Sequence, residues 1–129
     1  MPSSELCVFC QIVRDEAQAT IVRSSHETTA FVPLNPVTEG HILVVPNTHV
    51  ADALENPLVT ASVMRRVAEL ATAPCNIITS VGMLATQSIR HLHVHIIPRR
   101  PHDGLKLPWG NNFHQSQEYL ENAYAFYNG

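Results

Sequence analysis

Three histidines alternate with aliphatic residues in His91-Leu92-His93-Val94-His95-Ile96-Ile97-Pro98. In an extended strand, side chains at i, i+2 and i+4 share a face. His91, His93 and His95 then form a row with a spacing of roughly 6.5–7 Å, while Leu92, Val94 and Ile96 point the other way into a core. A helix would scatter the imidazoles around its axis and leave the aliphatics no common face. One histidine on a strand is ordinarily a solvated or hydrogen-bonded side chain. Three in strict alternation point to a metal site, a catalytic row, or both.

A second chemical group is Cys7-Val8-Phe9-Cys10. In a reducing compartment a Cys-x-x-Cys pair serves either zinc or redox exchange. The redox reading expects a thioredoxin-like strand ahead of the motif; here the motif lies almost at the start of the chain, which favours zinc. Two thiolates need two more ligands for a closed tetrahedral site. His49, just past a strand end, and His91 complete a Cys2His2 set that ties the N-terminal helix to the sheet; the plain alternative is a buried cysteine pair with unrelated histidines. With His91 so used, His93 and His95 remain on the same face. A neutral imidazole nitrogen is a competent nucleophile toward phosphorus, provided its other ring nitrogen is hydrogen-bonded so that one tautomer is fixed. His95 and Ser88 can supply donors to phosphoryl oxygens. The rival arrangement places all three histidines on one catalytic metal, at the cost of leaving the cysteines without histidine partners.

The elements that must position these groups follow from periodicity and punctuation. Phe9, Ile12 and Val13 give a short amphipathic helix over 5–14. Residues 20–23 and 28–32 read as two strands around a polar turn, and 33–40 as a loop broken by Pro33, Pro36 and Gly40. His41 to Pro46 is a buried strand. Asn56-Pro57 starts a helix that runs through Val63, Met64, Val67 and Leu70 and stops before Pro74. A strand over 76–79, a loop around Gly82 and the histidine strand complete the body. Leu120, Ala123, Tyr124 and Tyr127 mark a last amphipathic helix. The order predicts an α+β fold: an antiparallel sheet of about five strands with its helices on one face. A length of 129 residues sets one domain.

Composition narrows the function classes. Apolar content of 45% with 15% charged residues is ordinary globular composition. A net charge of −3 and a pI near 6.2 argue against a nucleic-acid protein that works through a basic surface. No window reaches the roughly 18 apolar residues of a membrane span, and Met1-Pro2-Ser3-Ser4-Glu5 lacks the basic and apolar regions of a signal peptide. The expected compartment is the cytoplasm.

These residues resemble one family. His91 to Ile97 matches the histidine triad (HIT) signature, His-φ-His-φ-His-φ-φ with φ hydrophobic. Gln87-Ser88-Ile89-Arg90 is similar to its lead-in, Asn35 to Pro46 resembles its Pro-x-x-x-Gly-His-x-Leu-φ-φ-Pro strand, and the Cys7–Cys10 start with His49 resembles the zinc-binding branch. The resemblance implies a sheet continued across a homodimer, and a nucleotide hydrolase or transferase acting at an α-phosphorus. Its substrates would be phosphoramidates, acyl-nucleotides or dinucleoside polyphosphates, with the zinc motif leaning toward phosphoramidates. It implies His93 as the nucleophile of a nucleotidyl-histidine intermediate, with His95 on phosphoryl oxygens or the leaving group and His41 supporting the cluster. It puts Gln87 and Ser88 at the phosphate, and one structural zinc on Cys7, Cys10, His49 and His91, with no organic cofactor. Pro33 stands where an acidic or amide residue for ribose is common, so either Asn35 substitutes or ribose is held otherwise; Ser80 and Thr86 stand where Asn and Gly are common. On this likeness residues 1–110 form the catalytic domain and 111–129 an extension whose helix packs on the body or on a partner subunit. Trp109 is a wall for a base in a partner subunit's pocket or, equally, a core or surface anchor. Outside the nucleotide hydrolases stands a low-turnover nucleotide sensor with the triad intact.

Overall fold

The computed structural model describes residues 6–109 and 116–129. The boundary at 110/111, Gly110 and the start of the first expected helix at Glu5 lie outside them. β1 (Ile21–Ser24), β2 (Thr28–Phe31), β3 (Ile42–Pro46), β4 (Cys75–Ile78) and β5 (Val94–Pro98) form one antiparallel sheet in the order β1-β2-β3-β5-β4. Its centre is β3 and β5, the two strands richest in β-branched residues. Their register pairs Leu43 with His95 and Val44 with Val94.

Paired residues share a face, so this register sorts the sheet into two sides. On one side Ala30, Val44, Val94 and Ile96 pack with Val50, Leu92 and the α2 residues Val63 and Val67. α2 (Pro57–Leu70) starts where expected: Asn56 Oδ1 accepts from the Leu58 and Val59 N–H groups at 3.1 and 3.4 Å, and Pro57 takes the first helical position. Val63 and Val67 are fully buried, each worth about 1.5–3 kcal/mol of apolar burial.

On the other side Phe31, Leu43 and Val45 receive Phe9 of α1 (Val8–Val13). The helices therefore lie on opposite faces, not on one. The cause is Phe9, whose ring meets Phe31 edge-on at 5.4 Å and so draws α1 to the odd-numbered side of β3. That side also carries His41 and His95.

The histidine strand is shorter than its alternation suggests: the ladder begins at Val94. Leu92 N–H donates instead to Val50 O at 2.8 Å, taking His91–His93 away from the sheet. The expected division of faces nevertheless holds, with Leu92, Val94 and Ile96 in the core. After β5, Arg99 forks onto Asp103 at 2.7 and 2.9 Å and reaches Asn76 Oδ1 at 2.7 Å. The guanidinium holds the Asp103 carboxyl well below the usual carboxylate range. α3 (Gln117–Asn128) is capped by Ser116 and buries none of its side chains. No helix among the described residues is long and apolar enough to cross a membrane.

Candidate metal centre and active site

Cys7 caps α1 and Cys10 lies one turn on, so both thiols point from the helix start toward His49 and His91. One ligand atom from each of the four residues lies within 4.8 Å of the others. The recorded sulfur–nitrogen separations are 3.2–3.4 Å and the two Nδ1 atoms are 3.1 Å apart. A tetrahedral ion with metal–nitrogen and metal–sulfur bonds of about 2.05 and 2.3 Å needs edges of roughly 3.3 Å and 3.5 Å. The cluster fits a metal ion of that size.

Its protonation chemistry fits as well. His91 Nε2 lies 2.9 Å from Pro46 O, so that nitrogen carries the proton and Nδ1 presents its lone pair to the cluster. Cys10 N–H donates to Cys7 Sγ at 3.4 Å. Burial, then the neighbouring Cys7, pushes the Cys10 thiol up to about 11, and burial lowers His91 to about 4. A buried thiol at Cys10 that resists ionisation, beside an imidazole at His91 that resists protonation, gains a stable ionised form when a cation joins the set.

The other histidines form a separate group. Val37 N–H donates to His41 Nδ1 at 3.1 Å, so His41 carries its proton on Nε2. That N–H donates to His95 Nδ1 at 2.9 Å, which leaves His95 with its proton on Nε2. His93 Nδ1 lies 2.8 Å from His91 O, so His93 holds its proton there and its Nε2 lone pair is free. Burial lowers both His41 and His95, the latter to about 4 with the nearby His93 and His41 contributing, which keeps the relay neutral. His93 and His95 stand ring to ring at 5.3 Å. One offers an electron pair and the other an N–H.

The chain matches the HIT domain family over residues 14–102. It belongs to the HIT family. An uncharacterised HIT-like protein of Methanocaldococcus jannaschii is 31% identical over 116 residues, covering 81% of this chain and 88% of that one. The adenosine 5′-monophosphoramidase of Saccharomyces cerevisiae is 29% identical, covering 80% and 69%. A HIT family structure from Bacillus subtilis superposes with a TM-score of 0.83 at 28% identity, covering 95% and 94%.

In this HIT protein the two histidine groups adjoin, but only one of them opens onto a cavity. A cavity of about 990 Å³ opens over His41, His93 and His95 and is also lined by Ser88, Asn35 and Pro33. His91 and His49 do not line it. The only metal-competent group of three or more ligands among the described residues is Cys7, Cys10, His49 and His91, so the arrangement of all three triad histidines on one ion is not present.

One expected substrate contact is placed elsewhere. Gln87 is buried, and its amide is committed to backbone: Oε1 accepts from Gly82 N–H at 2.9 Å, while Nε2 donates to Ala51 O at 2.7 Å and Ile89 O at 3.0 Å. It braces the turn that presents Ser88 and does not reach the cavity. Trp109 is 75% exposed and does not line this chain's own cavity, as a residue expected to wall a partner subunit's pocket would not.

Other residues matter more than their sequence signal suggested. Phe9 lies between the two cysteines, lines the cavity, and packs edge-on against both His91 and His93 at 5.9 and 5.1 Å. An aromatic inside a Cys-x-x-Cys beside a His-x-His was its available signal. Asp15, Gln18 and Leu34 also border the cavity, and nothing in their spacing marks them; Ile12, read as part of the α1 stripe, borders it too.

Proposed function

We propose that this protein hydrolyses nucleoside 5′-phosphoramidates and related nucleoside monophosphate derivatives through a nucleotidyl intermediate on His93. The observation that carries this reading is the pair of opposite tautomers on the cavity floor, a lone pair at His93 Nε2 and an N–H at His95 Nε2. His93 Nε2 attacks the α-phosphorus, and the P–Nε2 bond forms as the bond to the leaving amine breaks. The amine takes a proton from solvent. His91 O, accepting from His93 Nδ1–H, stabilises the positive charge that grows on the ring. His95 Nε2–H donates to the phosphoryl oxygens, whose charge builds in the transition state. Water then displaces Nε2 from phosphorus, its proton passes to solvent, and the nucleoside monophosphate leaves. Ser88 adds a donor at the phosphate and Asn35 a polar group toward the sugar. The name of the yeast relative supports the choice of leaving group.

We assign zinc to Cys7, Cys10, His49 and His91, since two thiolates with two imidazoles are its characteristic structural donors. When bound it supplies a cross-link between α1 and the segment leading into β5, and it takes no part in the displacement. Thiolate ligands suit a reducing, cytoplasmic setting. We further propose a homodimer in which α3 packs on the partner, because Tyr124, Phe126 and Tyr127 are more than 70% exposed in a single chain.

The test is incubation with adenosine 5′-phosphoramidate carrying labelled phosphorus. We expect AMP release and transient, acid-labile label on His93, with both lost in His93→Ala. Undiminished AMP release from that variant, or none from the natural protein, overturns the proposal.

A further inference from the structure

The neutral relay depends on one backbone N–H, that of Val37, and this N–H lies in a loop. The loop is fastened to the far end of β5. Thr38 Oγ1 donates to Pro98 O at 2.9 Å. Arg100 Nη1 donates to Glu39 O at 3.0 Å. Gly40 takes φ +89°, and a Cβ there would stand 3.1 Å from Pro98 Cγ, so only glycine lets the loop approach this closely. His41 N–H closes the turn onto Thr38 O at 3.2 Å. These contacts bracket Val37 and aim its N–H at His41 Nδ1.

We infer that Thr38 is a positioning residue: by tying the loop to Pro98 its hydroxyl holds Val37 N–H on His41 and so decides which nitrogen of His95 carries the proton. Thr38 does not line the cavity and acts only through the relay. Without its tether, Val37 N–H moves off His41 Nδ1, and His41 is free to carry its proton on either nitrogen. His95 then presents a lone pair to the phosphoryl oxygens for part of the time. A lone pair facing anionic oxygen repels where an N–H attracts. The tautomer assignment stands on the geometry alone, while the effect on turnover rests on the phosphoramidase reading above.

The experiment compares Thr38→Val, which keeps the shape and removes the hydroxyl, with Thr38→Ser, which restores it. Thr38→Ala replaces the valine should that variant fail to fold. Histidine 15N resonances of the ligand-free protein read the tautomers directly. The natural protein and Thr38→Ser should show His41 with an unprotonated Nδ1 and a protonated Nε2; the hydroxyl-less variant should show averaged signals at His41 and His95. Its kcat should fall about tenfold with KM within about twofold, and serine should recover it. A folded hydroxyl-less variant that keeps the natural 15N pattern overturns the inference, as does serine behaving like valine. Failure of the natural protein to release AMP bears on the phosphoramidase reading, and the 15N comparison still decides this one.

Discussion

His91 and His93 are two residues apart and spend their ring nitrogens in opposite ways. His91 gives its Nε2 proton to Pro46 O and turns Nδ1 toward two sulfurs. His93 gives its Nδ1 proton to the carbonyl of His91 itself and leaves Nε2 open over the cavity. The first ring is fully buried in a closed set of four ligands; the second borders solvent. Identical side chains thus turn one lone pair into a four-residue Cys2His2 cluster and the other over a cavity, according to which backbone carbonyl lies within reach of which nitrogen. The two regions are joined through that shared carbonyl and through Phe9, which touches both rings.

The largest effect that separates the regions is loss of the nucleophile. His93→Ala should lower AMP release by about 10⁴-fold, ~5.5 kcal/mol of barrier, while metal content stays at one ion per chain. Metal analysis beside the activity assay checks both halves. A variant that loses its metal together with its activity would merge the two regions into one site. Next comes the closed region. Replacing Cys7 and Cys10 together by serine should abolish metal binding and cost about 3–5 kcal/mol of stability. It should lower kcat by roughly tenfold, because His91 O is no longer held still beneath His93. Chemical denaturation with elemental analysis reads this. Metal retained in the double variant would move the ion onto the strand histidines.

The open region should also announce itself through acid. Burial lowers His95 to about 4 and also lowers His41, against about 6.5 in the unfolded chain. Between those values the unfolded chain binds more protons than the folded one. The stability these imidazoles contribute is therefore whole above about pH 6.5, shrinks as the pH falls, and levels off below about 4. For His95, partly open to solvent, the loss is about 1–2 kcal/mol after allowance for screening. His95→Gln removes that titration, so the natural protein should lose this much more than the variant between pH 7 and 4, a difference in which the metal centre's own acid lability cancels. Parallel urea-denaturation profiles would show that His95 is not held neutral by its surroundings.

Much of this division was readable in the chain. A period of two sorts side chains whatever they pack against, so the core face of Leu92, Val94 and Ile96 and the opposite row of histidines needed no tertiary knowledge. The Cys2His2 grouping followed from counting ligands. What escaped depended on where distant carbonyls converge. Gln87 reads as a phosphate contact until Ala51 O and Gly82 N–H arrive beside it. The ladder stops at Val94 because Val50 O captures Leu92 N–H. α1 has only six residues, too few for its apolar stripe to say which face of the sheet it covers. The tautomers of His41 and His95 were beyond reach because they rest on Val37, a loop residue whose side chain carries no polar group.

Backbone strain supplies the smallest test. Thr86 adopts φ +74°, a left-handed conformation uncommon for a β-branched residue. It closes the 3₁₀ turn Met83–Ala85 and is followed directly by Gln87 and Ser88, so the strain lies on the approach to the open region. Asp15, with φ +61°, borders the same cavity, whereas no residue of the metal set is so placed. Thr86→Gly should relieve about 1–2 kcal/mol of strain. The greater freedom of glycine in the unfolded chain returns about 0.5–1 kcal/mol of that gain. The net expectation is a small gain in stability, about 0.5–1 kcal/mol, read as a higher urea midpoint, with metal content unchanged. A midpoint that does not rise would mean that the threonine side chain itself stabilises the turn. A rise accompanied by slower turnover would mean that the strain serves to hold Ser88 at the phosphate, a role with no counterpart on the metal side.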